Sequence, residues 1–491
     1  MVSFSATNFY KLYKPSKCEK RVWLITNRPE LAEDDIEFIE LLKRRGKILE
    51  FRHLATLGSY QEPRSHNHDY RGRYEETLEL IENQTPIIYQ PVLLDPDGLF
   101  AIPDFLIFEP YTQKYKLRDV KLAINIKEHP EIALQLGLYR LAVEKVLGYT
   151  PNTEIVLGDS TLIDFEPASE SEVISAIEHI ISIKHLKTEP FEPVGWSKCN
   201  QCVFFNYCWA AAVCNCDIST VPYVDQSACI ALANMDVTNY DHLHEFSEEL
   251  LADIKRPWGK RVQKIGPTTA KKIKLQINAL KTNQTIIGQK PELPTGFSPY
   301  QRPVVIFDIE DDPFDPDLGV RVYLWGVLIS GQGGLQQTNL FFAEPGIEGD
   351  EKGWFDFLNY AFQVFENHGE IPFIHYSAHE RTMVNKYIER YGDPCGIADR
   401  VLNNLWDMYP CIVRNLFLPV HSYGLKHLEK LVGFERSQAD YGGLWSIIQY
   451  DKYVQAPTTD EAEAILTKIL TYNAEDLAAT LKVYEWLESI C

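Results

Sequence analysis

The stretch Val304-Val305-Ile306-Phe307-Asp308-Ile309-Glu310 combines an apolar run with two acidic residues. Successive side chains of a β-strand point to opposite faces, so Asp308 and Glu310, two positions apart, share one face. Burying two carboxylates on one face is costly unless they are paired or hold a metal ion. The stretch therefore predicts a core strand of an α/β domain that carries a metal site.

The residues that follow predict the order of a complete sheet. After Pro303, the strands PVVIFDIE, GVRVYLWGVLI and TNLFFA precede a helix near 353–368, the strand IPFIHY and further helices. Tyr472 and Asp476 are four positions apart, and we expect them to open a helix with both side chains on one face. Three strands, a helix, a fourth strand and more helices predict a sheet of the RNase H-like type.

Asp-x-Glu on the first strand and Tyr-x3-Asp near the end of the sequence resemble the DEDDy 3′–5′ exonucleases. The resemblance implies that four carboxylates hold two Mg²⁺ or Mn²⁺ ions beside the scissile phosphate. Asp308, Glu310 and Asp476 match three of the family's acids, and Tyr472 matches the residue that orients the attacking water. An inactive scaffold of the same fold is the alternative interpretation.

The fourth acid departs from the family pattern. In the family it ends a His-Asn-x-x-Phe-Asp segment, and the matching stretch here is His375-Tyr376-Ser377-Ala378-His379-Glu380. The resemblance therefore assigns Glu380 as the fourth metal ligand, with Asp407 as the alternative. Glu in place of Asp keeps the charge but adds a methylene group. We expect Trp406-Asp407-Met408 and residues 422–428 to be connecting segments with a structural role.

A second set of charged residues lies on predicted strands of the N-terminal part. PIIYQPVLL and LFAIPDFLIFEP are joined by the turn Asp95-Pro96-Asp97-Gly98, and YKLRDVKLA, a helix from about Pro130 to Leu147 and the strand TEIVLG follow. Asp104 lies in the second run, and Asp119 and Lys121 share a face of the third strand. Two carboxylates that hold Mg²⁺ or Mn²⁺ and an ammonium group suit phosphodiester hydrolysis. A surface ion pair is the alternative.

The predicted helix that follows these strands carries Gln135 and Tyr139, four positions apart and on one face. Together with the two aspartates and the lysine, this order resembles the PD-(D/E)XK nucleases of the RecB type. The resemblance implies a restriction-endonuclease-like fold with the Gln motif beside the active site. Glu75 or Glu76 on the preceding helix is expected to complete this site.

Five of the ten cysteines fall within one short stretch, with spacings typical of metal ligation. Cys199-x2-Cys202-x5-Cys208, with Cys18 far upstream, resembles the iron–sulfur staple of RecB-type nucleases. The resemblance implies a [4Fe–4S] cluster held by these four thiolates. A four-cysteine zinc site and buried free cysteines are the alternatives.

The middle of the chain is basic. Ten Lys or Arg residues and no Asp or Glu lie between Ile254 and Lys290. Within this segment IGPTTAKKI resembles the hairpin of a helix-hairpin-helix element. Gly266 would let backbone amides approach a phosphate, and Lys271 and Lys272 would add charge. A solvated amphipathic helix is the alternative.

Length and composition limit the compartment and the partners. A chain of 491 residues predicts two to four domains. No apolar run approaches the roughly 20 residues that a membrane helix needs, and the N-terminus lacks a signal-peptide core. We therefore expect a cytoplasmic protein without membrane contact. The net charge of −21 restricts nucleic-acid contact to local basic patches and bound metal ions.

Taken as a whole, the sequence resembles bacterial RecB-family nucleases that fuse an iron–sulfur PD-(D/E)XK domain to an RNase H-like DEDDy domain. We expect the first domain in residues 1–215, a basic helical segment in 216–295 and the second domain in 296–491. The expected function is hydrolysis of nucleic acid at two sites, with DNA favoured over RNA. No phosphate-binding loop of a helicase is present, so a helicase or another repair protein would be the partner that unwinds. Alternatives are that one or both domains only bind nucleic acid, or that the second acts on RNA.

Overall fold

The computed structural model describes residues 4–33, 36–66, 68–94, 100–259, 261–294, 303–331, 334–438 and 442–491. The chain divides into two compact units. The first is Met1–Glu192, Ser197–Cys208 and Phe314–Gly319, and the second is Pro193–Trp196, Trp209–Pro313 and Val320–Cys491. The predicted turn Asp95-Pro96-Asp97-Gly98 and residues 295–302 of the predicted linker lie outside the described residues.

The first unit contains both helices and strands, and the division between the two units falls within the last two of its short helices. The helices are α1 (Thr7–Tyr13), α2 (Glu19–Asn27), α3 (Ile36–Leu57), α4 (Tyr70–Glu82), α5 (Pro130–Leu147), α6 (Glu170–Lys184), α7 (Trp196–Cys199) and α8 (Phe205–Cys214). The strands are β1 (Ile87–Tyr89), β2 (Leu93–Leu94), β3 (Phe100–Ala101), β4 (Phe105–Glu109), β5 (Lys114–Val120), β6 (Thr153–Val156) and β7 (Leu162–Asp164).

The sheet of the first unit has the strand order β1-β4-β5-β6-β7. β5 and β6 are parallel and are joined by α5, whereas the other neighbours are antiparallel. This arrangement confirms the predicted strands and the helix Pro130–Leu147. One detail differs from the expectation, because Asp104 lies at a bend before β4 and Lys121 directly follows β5. The strand cannot begin earlier as a regular ladder, since Pro103 has no N–H group to donate.

Helix α5 is the centre of this unit's core. Leu136, Leu138 and Val143 are fully or almost fully buried on it and belong to one apolar cluster with Leu117 of β5 and Ile155 of β6. A helix between two parallel strands packs against the sheet and is covered again by further helices, so it buries apolar residues on several sides.

The second unit also contains both helices and strands. Its helices are α9 (Gln226–Ala233), α10 (Tyr240–Glu245), α11 (Glu248–Asp253), α12 (Pro267–Thr282), α13 (Ile347–His368), α14 (His379–Tyr391), α15 (Ile397–Asn404), α16 (Met408–Asn415), α17 (Leu425–Leu431), α18 (Gly443–Gln455) and α19 (Thr459–Ile490). Its strands are β8 (Lys255–Trp258), β9 (Arg261–Lys264), β10 (Ile286–Ile287), β11 (Val304–Asp312), β12 (Arg321–Gly331), β13 (Leu335–Phe342), β14 (Phe373–His375), β15 (Leu405–Asp407) and β16 (Leu416–Phe417).

The main sheet of this unit has the order β13-β12-β11-β14-β15. β11 pairs antiparallel with β12 and parallel with β14, and β14 pairs parallel with β15. The predicted order of three strands, a helix and a fourth strand is confirmed. The fifth strand, β15, lies in the segment that we expected to be only connecting.

Alternation along β11 separates two cores. Phe307 stacks against Trp325 and Phe357 on the face covered by α13. Ile306 belongs to the core of the opposite face, which includes Leu477 of α19. Asp308 and Glu310 are two and four positions after Ile306, so their side chains lie on the same face of β11. Both carboxylates therefore point toward α19.

Helix α19 is longer than the sequence pattern suggested. The expectation that a helix opens at Tyr472 is wrong, because α19 begins at Thr459 and has 32 residues. The Thr458 side chain caps it by accepting a hydrogen bond from the N–H of Glu461. No proline or glycine interrupts the residues between this cap and Tyr472, so the helix simply continues.

The middle segment packs within the second unit. Helices α9 to α12 share an apolar core that includes Leu232, Leu251 and Ile273. Buried Gln276 of α12 donates to the carbonyl oxygen of Leu418 (2.7 Å) and accepts from the Tyr423 hydroxyl (2.7 Å). A two-stranded hairpin, β8–β9, lies between α11 and α12, where the sequence analysis expected helices alone. Among the described helices, none combines the length and apolar character required to cross a membrane.

Candidate active sites

Three carboxylates converge between β11 and α19. One oxygen each of Asp308, Glu310 and Asp476 lies within 4.8 Å of the other two. Glu310 and Asp476 are buried, and Asp308 is partly buried. The register of β11 against β12 shifts between Glu310 and Asp311, at the end of this acidic pair. The structure thus brings together three of the acids that the sequence predicts.

Burial and mutual repulsion disfavour ionisation of these acids. Burial, followed by the charges of Asp476 and Glu310, raises the pKa of Asp308 well above its usual value. Burial and the charge of Asp476 raise the pKa of Glu310 to about 8. Three clustered acids of this kind need a positive charge to ionise together, and carboxylate oxygens are the ligands that Mg²⁺ and Mn²⁺ prefer. The donor set therefore fits divalent metal ions.

Asn473 is a neighbour of this cluster that the sequence analysis missed. Its side-chain nitrogen donates a hydrogen bond to Oδ2 of Asp308 across 2.7 Å. Gly326 lies opposite Asp308 in the β11–β12 register, and a Cβ atom at Gly326 would lie 2.0 Å from Oδ1 of Asn473. A residue without a side chain on β12 is therefore what lets Asn473 reach the acid.

Two cations contact Asp476. The Lys426 ammonium lies 3.3 Å from Oδ1 of Asp476, and the Arg436 guanidinium pairs with the same oxygen. Arg436 also forms two hydrogen bonds to buried Glu429, at 2.9 and 2.6 Å. Lys426 lies in the segment 422–428, which we expected to be structural only. The ion pair joins this segment to a predicted metal ligand.

Tyr472 lies one helical turn before Asp476 and is buried. Its ring is 5.5 Å from that of Trp445, and the Lys426 ammonium lies 4.8 Å from its centroid. Burial, and then the charges of Asp476 and Glu310, raise the pKa of its hydroxyl far above the usual range. Tyr472 therefore stays protonated and can donate a hydrogen bond at any ordinary pH.

Glu380 lies close to the cluster but outside the group of three. Its Oε2 is 3.1 Å from Nδ1 of His375 and accepts a hydrogen bond from the Ser377 hydroxyl at 3.0 Å. Its charge contributes to the raised pKa of Asp308. The alternative acid, Asp407, lies opposite His375 on β15 and caps α16 by accepting from the N–H of Tyr409. Both candidate acids, Glu380 and Asp407, are therefore neighbours of His375.

A second acidic site lies at the ends of β4 and β5 in the first unit. The backbone N–H of Asp104 donates to Oδ1 of Asp119 (3.3 Å), and the N–H of Val120 donates to Oδ2 of Asp104 (2.7 Å). Lys121 forms an ion pair with Asp119, which is almost fully buried. Burial and the charge of Asp119 raise the pKa of Asp104 well above its usual value. The two aspartates and the lysine thus come together as the sequence predicts.

The predicted Gln motif lies beside these residues. Gln135 donates to the Tyr139 hydroxyl at 2.8 Å and accepts from the Tyr10 hydroxyl at 2.9 Å. Burial and the charge of Asp119 raise the pKa of Tyr139. Tyr10, on α1, is a member of this group that the sequence analysis missed, because its contact spans more than a hundred residues of chain.

One helical acid that acts on this site is Glu50 of α3. It accepts hydrogen bonds from the Tyr89 hydroxyl (2.5 Å) and from Gln90 (2.9 Å), and its charge contributes to the raised pKa of Asp104. The residues expected in this role are engaged elsewhere on α4. Glu76 accepts from the backbone N–H groups of residues 64 and 65, and Glu75 pairs with residue 71.

Four cysteines of the first unit lie within electrostatic reach of one another. Burial raises the pKa of the Cys208 thiol to about 12, and Cys202, Cys18 and Cys199 add smaller effects. Burial likewise raises the pKa of Cys18 to about 11. Within the described residues, no three cysteine sulfur atoms lie within 4.8 Å of one another.

The other two cysteines of this stretch of sequence, Cys214 and Cys216, are placed differently. Cys214 is exposed at the end of α8, and Cys216 lies beside the Tyr240 hydroxyl, whose pKa rises through burial and this contact. The cysteines among the main causes of the shifted pKa of the Cys208 thiol are Cys202, Cys18 and Cys199. Cys214 and Cys216 are not among the four cysteines that the sequence predicts as ligands, and that set of four stays a prediction.

The basic residues predicted for nucleic-acid contact lie at the start of α12. Gly266 directly precedes this helix with φ 85°, a conformation that favours glycine. Lys271 is exposed, and the ammonium of Lys272 lies 5.4 Å from the centroid of the Tyr223 ring. Near the start of α12, the side chain of Lys271 is therefore exposed to solvent.

Comparison with protein families gives one match. A sequence profile of the RNase_H superfamily matches residues 305–488, from β11 to α19. A comparison with curated proteins finds no match. The C-terminal part of the chain is therefore an RNase H-like domain, a class whose general activity is hydrolysis of phosphodiester bonds in nucleic acid.

Proposed function

We propose that the RNase H-like domain is a metal-dependent 3′–5′ exonuclease. The observation that carries the proposal is the meeting of Asp308, Glu310 and Asp476, whose oxygens lie within 4.8 Å of one another. Glu380 is the proposed fourth ligand, since its charge already acts on Asp308. Two Mg²⁺ or Mn²⁺ ions at such a site stabilise both the attacking and the leaving oxygen of a phosphodiester.

The side chains around the acids prepare the site for this reaction. Asn473 fixes the orientation of Asp308 through its hydrogen bond. Tyr472, kept protonated by its raised pKa, orients the attacking water by donating or accepting one hydrogen bond. Lys426 and Arg436 neutralise Asp476 and lie at the same edge as Tyr472, where they add positive charge beside the substrate phosphate.

The first unit is proposed to be a second nuclease, of the PD-(D/E)XK type. Asp104 and Asp119 would hold a divalent metal ion, with Glu50 as a third acid. Lys121 would steady the attacking hydroxide or the developing charge, since its ammonium pairs with Asp119 and interacts electrostatically with Asp104. Gln135 and Tyr139 would orient the substrate beside them.

Cys18, Cys199, Cys202 and Cys208 are proposed to hold a [4Fe–4S] cluster. A tetrahedral zinc site with bonds of about 2.3 Å brings its sulfur atoms to roughly 3.8 Å from one another. No three of the described cysteine sulfurs meet within 4.8 Å, so the proposal of an iron–sulfur cluster over zinc rests on the spacing of the cysteines in the sequence. The raised pKa values of Cys18 and Cys208 mean that a bound group must displace their protons.

The proposed substrate is DNA, presented as ends or single strands, with a helicase or another repair protein as the partner that unwinds it. Two further functions are alternatives. The RNase H-like domain acts on RNA in the first, and in the second one domain only grips nucleic acid while the other cuts. The intact acid sets of both sites favour two active nucleases.

A cleavage assay with two single-site variants tests the proposal. Asp308→Ala disables the C-terminal site and Lys121→Ala the N-terminal one, so each variant isolates the other activity. End-labelled single-stranded and duplex DNA and RNA are incubated with Mg²⁺ or Mn²⁺. Mononucleotides released from 3′ ends by Lys121→Ala, and not by Asp308→Ala, support the exonuclease. Unchanged 3′ trimming in Asp308→Ala contradicts it.

Metal analysis tests the cysteine site separately. Protein purified without oxygen should contain iron and acid-labile sulfide, and Cys18→Ala should lose both. Cys214→Ala is the matched control, because this cysteine is exposed and is not one of the four proposed ligands. Stoichiometric zinc without iron would contradict the iron–sulfur proposal.

A further inference from the structure

The hairpin β8–β9 is inserted between two helices without disturbing their junction. The N–H of Ile265 donates to the carbonyl oxygen of Ile254 (2.9 Å), and the N–H of Gly266 donates to that of Ala252 (3.0 Å). The two ends of the hairpin segment 255–264 therefore lie side by side, next to the helical core. Ile254 and Ile265 are both buried in the core of α9 to α12, which anchors the base of the hairpin.

The hairpin itself is exposed and basic. All of its described residues are exposed except Arg256, which is 8% exposed. Acids of the surrounding segment engage two of its cations, since Arg256 pairs with Asp225 and Lys264 with Asp253 (2.6 Å). Lys255 and Arg261 have no ion-pair partner among the described residues. Like charges placed on an exposed hairpin without acids on it repel one another, so its sequence does not serve stability.

Trp258 stands out on this hairpin. It is 55% exposed, and it is the only exposed one of the nine tryptophans, all of which lie in the described part of the chain. The guanidinium of Arg256 lies 4.9 Å from its ring centroid and so supports the indole. Arg261 is its partner in the hairpin register and therefore shares its face.

We propose that the hairpin β8–β9 binds single-stranded nucleic acid by stacking Trp258 on an unpaired base, while Arg261 contacts the adjacent phosphate. The inference deepens the proposed nuclease function and rests on it. An exposed indole beside cations matches the way proteins bind single strands, in which bases stack on aromatic rings and basic groups follow the backbone. With a net charge of −21, contact with a polyanion depends on local basic segments such as this one.

Charge decides between nucleic acid and a protein partner. The centres of protein interfaces are depleted in charged residues, whereas this segment carries ten Lys or Arg and no Asp or Glu from Ile254 to Lys290. An apolar pocket of about 420 Å³ lies nearby, lined in part by Met235, Leu250 and Pro257. Pro257 and Trp258 are consecutive in β8, so their side chains point to opposite faces of the strand. The pocket therefore lies on the face away from Trp258.

The test measures binding in the presence of EDTA, where hydrolysis cannot occur. Full-length protein is titrated into a fluorescein-labelled single-stranded DNA oligonucleotide, and anisotropy reports the dissociation constant. Trp258→Ala is expected to weaken binding about 5- to 150-fold, and Trp258→Phe should retain most of the affinity. Tyr111→Ala is the control, since Tyr111 is a fully exposed aromatic residue of the first unit.

Oligonucleotides with single abasic sites and a salt series make the test specific. Removing the stacked base should weaken binding by the wild-type protein as much as Trp258→Ala does, with no further loss when both changes are combined. Arg261→Ala should reduce the slope of log affinity against log salt by about one, whereas Trp258→Ala should leave that slope unchanged.

Several outcomes would overturn the inference. Wild-type affinity in Trp258→Ala is one. Another is that Trp258→Ala weakens binding by the same factor on every abasic oligonucleotide as on the intact one, so that the two losses add. Retained DNA binding with loss of self-association in Trp258→Ala would assign the hairpin to a protein contact instead. If the wild type binds DNA through Trp258 but does not hydrolyse it with Mg²⁺ or Mn²⁺, the nuclease proposal fails and the hairpin inference stands.

Discussion

Asn473 donates its side-chain amide to Oδ2 of Asp308 across 2.7 Å, and so links the long helix α19 to the first strand of the sheet. Asp308 is a proposed metal ligand, and Asn473 lies between two further proposed site residues, Tyr472 and Asp476, on α19. A hydrogen bond to a metal-binding carboxylate fixes the orientation of its lone pairs. The position of Asp308 therefore depends on a residue more than 160 positions away.

Asn473→Ala is expected to lower metal affinity or activity of this site about 10- to 100-fold, because Asp308 loses the group that orients it. Metal titration followed by calorimetry and a mononucleotide-release assay measure the two effects. Asn385→Ala is the matched control, since Asn385 is exposed on α14 and bonds only the carbonyl of Arg381 one turn away. Equal activities of the two variants would remove Asn473 from the site.

Gly326→Ala should disturb the same hydrogen bond from the opposite side. The added Cβ atom would lie 2.0 Å from Oδ1 of Asn473, so the amide must move and the free energy of unfolding should fall by about 1–3 kcal/mol. Urea unfolding measures the change. The double variant with Asn473→Ala should recover part of the loss, because the clash is gone. Gly443→Ala, where a methyl group meets open space, is the control.

The sequence predicted the parts of this site that depend on local pattern. The alternation of β11 was enough to place Asp308 and Glu310 on one face, and the spacing of four placed Tyr472 above Asp476. The contacts of Asn473 required knowing that Gly326 faces Asp308, which depends on the pairing of two strands. Lys426 and Arg436 contact Asp476 only through tertiary packing, so no local sequence pattern could predict these two contacts.

The first unit shows the same division between local and long-range information. Asp119 and Lys121 follow from strand alternation, whereas Glu50 was missed because α3 carries several acids and the sequence does not say which one faces the sheet. The hairpin β8–β9 was missed for a different reason. Its residues lie inside a segment with helical patterns, and only the contact between Ile254 and Ile265 reveals an insertion.

The stability of the metal-free protein should depend on the ionisation of Glu310. Burial raises its pKa from the ordinary 4.5 to about 8 in the folded state. The folded protein therefore binds a proton that the unfolded chain has released, and its stability should fall as the pH rises from about 5 to about 8. Thermal unfolding in EDTA across this range measures the effect, and Glu310→Gln should flatten the profile.

Metal binding should reverse this dependence. Divalent ions bind the ionised carboxylates, so the gain in melting temperature on adding Mn²⁺ should be larger at pH 8 than at pH 6. A gain that is independent of pH, or that persists unchanged in Glu310→Gln, would contradict a role of Glu310 as a metal ligand.

Arg436→Ala is expected to reduce the free energy of unfolding by about 3–5 kcal/mol, because it leaves the carboxylate of Glu429 without its partner in a buried position. Arg400→Ala is the comparison, since the pair of Arg400 with Glu370 is partly exposed and should contribute about 1 kcal/mol or less. Urea unfolding measures the loss in the free energy of unfolding for both variants. Similar losses would mean that water screens the Arg436 pair as well.

The last prediction concerns the position where this chain departs from the family's aspartate. Glu380→Gln should abolish mononucleotide release as Asp308→Ala does, because the amide keeps the shape of the side chain but removes the charge that binds metal. Glu380→Asp should retain activity or increase it, since a carboxylate remains. The Glu380 carboxylate accepts from Ser377 and faces His375, so it would have to turn from these neighbours toward Asp308 to hold a metal ion. Asp407→Asn is the matched control, because asparagine caps a helix as well as aspartate does and α16 keeps its start. If Glu380→Gln is fully active and Asp407→Asn is not, the fourth ligand is Asp407.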